Sequence, residues 1–87
     1  MAVEGMEVES VKQFGNALKQ AAEHHEQEFN QHKSKFHGLD WKGPDHERTS
    51  GELDALFNTL KQVLDQIKQM GEQIVKQAVE QEQASSR

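Results

Sequence analysis

Three apolar rows spaced by sevens run through the second half of the chain. Leu53, Leu60, Ile67 and Ile74 form one row. Leu56, Val63 and Met70 form another, three positions on, and Phe57, Leu64, Gly71 and Ala78 form the third. The first two make the a and d seam of a heptad repeat. The third widens the stripe beyond what one neighbouring helix covers, which suits a bundle of more than two helices. Lys61, Lys68 and Lys76 lie among acids on the opposite face.

The first half carries a poorer version of the same pattern. Val11, Phe14, Leu18, Ala21/Ala22, His25, Phe29, His32 and Phe36 recur by threes and fours, with Leu39 following. That step is one face of a helix, and Glu, Gln and Lys, good helix formers, fill the rest. Gly38 is the expected stop, taking the left-handed conformation that ends many helices. Two starts compete for the second helix. Pro44 suits a first helical position, with Asp45 complementing the dipole. Thr49 with Glu52 makes a capping box. The first is preferred, with the helix loosened near Gly51.

The expected fold is therefore all-α: one helical-hairpin domain over 1–87, with helix 1 about 8–38, a turn at 39–43, helix 2 about 44–80, and frayed ends. At 1.5 Å per residue each helix is roughly 45–50 Å long. A short connection makes the two antiparallel neighbours. The leftover apolar surface is an association surface, and two hairpins face to face would make a four-helix bundle. The expected dimer interface is Val11, Phe14, Leu18, Leu53, Leu56, Phe57, Leu60, Val63, Leu64, Ile67 and Ile74.

Composition narrows the function. With 87 residues and no cysteine, neither a disulfide nor a thiolate metal site can firm up the small core. Fifteen Asp and Glu stand against ten Lys and Arg, a net charge of −5. That balance argues against nucleic acid, whose affinity comes largely from phosphate neutralisation, and against an anionic membrane surface. The opening MAVEGMEVES has no basic region, and the longest apolar run is Ala55-Leu56-Phe57. No signal peptide or membrane insertion is expected, so the chain is made in the cytoplasm and any export reads another signal.

No catalytic residue, metal or cofactor is expected. His25 and His32 share the inward face, but metal binding needs further ligands from the facing helix. Glu28 and His32 are four apart, not the Glu-x-x-His spacing, and Glu28 sits at the seam edge. The histidines are better read as spacers in a weakly packed layer, as partners for acids on another chain, or as groups that make a dimer pH-sensitive. Ser10, Ser34, Ser50, Ser85 and Ser86 have no paired base, and no glycine-rich phosphate loop is present.

The turn is the remaining feature. GLDWKGPD, residues 38–45, holds the only proline and the only tryptophan. Gly43 permits the reversal. Trp41 either caps the apolar core or reaches a partner, as tryptophan does at binding hot spots.

A heptad-bearing helix, then Trp41-Lys42-Gly43, then a second heptad-bearing helix resembles the WXG-motif family, the small ESAT-like proteins of type VII secretion. The resemblance covers roughly residues 8–80. It implies a hairpin with Trp41 and Gly43 in its turn. It also implies pairing as a homodimer or as a heterodimer with another WXG-type protein, and export in the folded state through a secretion ATPase without a cleaved signal. The family's export tail, a tyrosine followed four residues later by an acid, has no counterpart here, because the chain has no tyrosine. A co-secreted partner or a role as adaptor for a larger exported protein would accommodate that departure.

Overall fold

The computed structural model describes residues 7–85. Two helices, α1 (Val8–His37) and α2 (Pro44–Ser85), lie side by side, and no strand occurs among the described residues. Residues 1–6 and 86–87, which belong to the expected frayed ends, lie outside the described residues. Residues 81–85 do not end the second helix but continue it. The molecule is a rod of 66 × 16 × 14 Å. Its length is that of α2, since 42 residues at 1.5 Å each make about 63 Å.

The turn differs from expectation in where it uses glycine. Gly38 sits at φ −87°, ψ −1°, a right-handed conformation. It closes α1 by sharing its N–H between the carbonyls of Ser34 and Lys35, at 3.0 and 3.2 Å. The left-handed residue is Gly43, at φ +124°, where any side chain would be strained. α2 then starts at Pro44, whose missing N–H costs nothing in a first turn. Asp45 and Glu47 occupy that turn and complement the dipole. Gly51 lies within continuous helix.

The helices pack in a constant antiparallel register. Gly15 lies against Gly71; two heptads on in α1 and two back in α2, Phe29 meets Phe57 with ring centroids 6.2 Å apart. Midway between, Ala22 and Leu64 are 2% and 6% exposed. The hairpin's own seam is thus Gly15, Ala22 and Phe29 against Phe57, Leu64, Gly71 and Ala78. This row of α2 is the one read from sequence as merely widening the stripe. A rod so thin encloses little else, and no large side chain is fully buried among the described residues.

Candidate association surface

The seam divides the hairpin into two unlike flanks. One is polar and joins Lys12, Glu26 and Lys33 of α1 to Asp54, Lys61, Lys68 and Glu82 of α2. Lys68 Nζ donates to Glu26 Oε1 at 2.9 Å, and Lys61 lies 3.6 Å from Glu26 Oε2. Asp65 receives Lys61 at 3.1 Å and Lys68 at 3.3 Å. Lys12 reaches Glu82 at 3.6 Å. Asp54 takes His37 at 3.0 Å and Lys33 at 3.9 Å. The hydrogen bond from Lys68 holds the Glu26 carboxyl below its ordinary value, against the opposing effect of desolvation. The bond from Lys61 does the same for Asp65. Bonds to Glu9, Asp65 and Glu26 raise Lys12, Lys61 and Lys68 respectively. Lys61 and Lys68 therefore work along this flank, not on a face opposite the seam.

The other flank is fixed by helical position. Residues 11 and 18 stand one place before 12 and 19, across the Gly15–Ala22 line, and residues 53, 60, 67 and 74 stand likewise to 54, 61, 68 and 75. This flank carries Val11 and Leu18 from α1, and Leu53, Leu60, Ile67 and Ile74 from α2, all half-buried. Farther out stand Phe14 at 59% exposure and Leu56, Val63 and Met70 at 66, 45 and 51%. None of these α2 positions is charged. Of the expected interface residues, Phe57 and Leu64 are used inside the hairpin; the other nine line this flank. Nearer the turn the α1 side becomes polar. His25 Nδ1 is 3.2 Å and His24 Nε2 3.7 Å from Glu28 Oε1, while His32 is exposed.

The turn end forms an aromatic cluster. Phe36 stacks on His46 at 5.5 Å, and Trp41 meets His46 and Phe36 edge-on at 5.1 and 6.1 Å. Trp41 remains 41% exposed and Leu39 56%. The tryptophan thus packs on one side and faces solvent on the other, so both sequence-based readings of it keep a physical basis.

A shallow depression of about 60 Å³ lies on the polar flank between Phe29 and Phe57. No group of three His, Asp or Glu side chains among the described residues could hold a metal ion. No helix among them is long and apolar enough to cross a membrane.

Sequence reasoning missed the small-residue contact of Gly15 with Gly71 and the charged rows on the polar flank. Both had signals: glycines at heptad positions inside helices, and opposite charges repeating by sevens in each half. No protein-family profile matches the chain, and no curated protein or solved structure does so either.

Proposed function

We propose that this chain is a small WXG-type protein of a type VII secretion pathway. In this reading it acts by helix–helix association rather than catalysis, and it is exported as a substrate or with a partner. The apolar flank carries the proposal. Seven uncharged side chains, Leu53 to Ile74, stand on one side of α2 with no helix of this chain over their outer row. A continuous bare strip of this kind marks an interaction site. Covering it with a second hairpin gives a four-helix bundle. The W-x-G at the reversal is the family's hallmark position.

Light scattering on the pure chain and detection in culture supernatant test the two halves of this reading. A complex of about 20 kDa from the pure chain, twice 9.9 kDa, supports a self-pairing bundle; a monomer that forms a complex only when a second hairpin is supplied supports a heterodimer. Leu56→Asp, at the most exposed apolar position, should abolish association while circular dichroism shows the hairpin intact. Association unaffected by Leu56→Asp would defeat the surface assignment. Absence from the supernatant in the presence of an active export machine would defeat the export assignment.

A second reading makes the chain a cytoplasmic helical adaptor or chaperone for a larger exported protein. The packing of Trp41 on Phe36 and His46 favours it, because a tryptophan used to close the turn is not wholly free as a signal. Trp41→Ala separates the two. Export lost with association unchanged marks Trp41 as signal; weakened folding with no export defect marks it as packing.

A further inference from the structure

We infer that Met70 is a reversible oxidation site. Its thioether takes one oxygen from a hydroperoxide such as hydrogen peroxide, and the resulting sulfoxide closes the apolar flank to association while leaving the hairpin folded. This rests on the association reading above and adds a chemical control to that surface.

The first argument is placement. The row of α2 that makes the seam is covered, with Leu64 and Ala78 at 6% and 0% exposure. Met70 belongs instead to the outer row, with Leu56 and Val63, and is half in water. One turn away on the same helix stand Ile67 and Ile74, half-buried, and Gln66 and Gln73, exposed. The sulfur is therefore open to a small oxidant in the free hairpin, and nothing in the seam depends on it.

The second argument is reactivity. The chain has no cysteine, and Met70 is the single sulfur-bearing side chain among the described residues. Leucine would serve the helix and the flank about as well, so the thioether is what methionine adds at this position. A sulfur lone pair attacks one oxygen of the peroxide. The S–O bond forms, the O–O bond breaks, and the departing hydroxide takes up the proton of the transferred oxygen and leaves as water. The sulfur is oxidised by two electrons and the peroxide is reduced. The product is a sulfoxide, which reductases return to the thioether.

The third argument is where the cost falls. In the free hairpin the sulfoxide oxygen is hydrated at the border with Gln66 and Gln73. Covering the flank strips that water among Leu56, Val63, Ile67 and Ile74, whose side chains have no donor to replace it. Oxidation thus opposes association and not folding. The converse holds too: a covered flank shields the sulfur, so the free hairpin is the form that reacts.

The full chain, treated with hydrogen peroxide while dilute, tests this, with Met70 sulfoxide counted by peptide mass spectrometry. Met70 is expected to oxidise at no less than roughly a third of its rate in the urea-unfolded chain, because susceptibility follows exposure. Circular dichroism of the product should match that of the untreated chain. The dissociation constant of the complex found by light scattering should rise at least about tenfold, and the two methionine sulfoxide reductases should restore it. Met70→Leu should keep its association through the same treatment, which separates Met70 from Met1 and Met6. Three results overturn the inference and leave association standing: Met70 reacting as slowly as a buried methionine, helix lost on its oxidation, or an oxidised chain that associates as tightly as before. A chain that oxidises readily at Met70 but forms no complex, alone or with a second hairpin, defeats the association reading and this inference with it.

Discussion

Gly15 and Gly71 touch backbone to backbone across the hairpin. A Cβ placed on Gly15 would stand 2.7 Å from the carbonyl oxygen of Gly71 and 2.7 Å from Val75 Cγ2. One placed on Gly71 would stand 2.6 Å from the carbonyl oxygen of Gly15. Those oxygens belong to helical backbone and cannot swing aside. Alanine at either site must therefore push the helices apart, at the cost of roughly 1–3 kcal/mol that overpacking brings. The better helix propensity of alanine returns at most about 1 kcal/mol. Gly15→Ala and Gly71→Ala are each expected to lose about 1–2 kcal/mol in urea unfolding followed by circular dichroism, at one fixed protein concentration. Wild-type stability in both variants would show that the helices do not meet there.

Gly51 behaves in the opposite sense. It lies inside α2, and a Cβ there meets nothing within 4 Å. With no steric cost, only the entropy of the unfolded chain and helix propensity count. Gly51→Ala is expected to stabilise the protein by about 0.5–1 kcal/mol. A loss of stability would mean that this part of α2 is held in some other conformation.

The helices and the reversal were legible because their signals are local. Heptad spacing needs only the neighbouring turns, and Pro44 and Gly43 act on their own backbone. The seam was misplaced by one row because spacing says which residues share a face but not which part of a wide stripe meets the nearer helix. That choice depends on the partner helix, whose smallest residues, Gly15 and Ala22, pull α2 round until Leu64, Gly71 and Ala78 face them. Large side chains at 56, 63 and 70 fit such a close approach poorly and stay outside. The same rotation explains why Phe14, counted in the apolar face of α1, is 59% exposed. Gly38 differs from expectation because a glycine allows a left-handed stop without requiring one, and here the backbone stays right-handed.

The polar flank sets the acid limit of stability. Hydrogen bonds from Lys68 and Lys61 hold Glu26 and Asp65 below their ordinary values. A carboxyl whose value is lowered on folding contributes stability above its unfolded value, and that contribution is lost as the pH falls through the folded value. Lys61 and Lys68, raised on folding, contribute below the ordinary lysine value and lose it as the pH rises through their folded values. Stability is thus expected to be flat between the two ranges and to fall at both ends. Glu26→Gln should lower the neutral-pH melting temperature modestly and flatten the acid arm, more than Glu72→Gln outside the network. All these groups are solvent-accessible, so salt should weaken the effect. Identical acid arms for the two variants would refute the role given to Glu26.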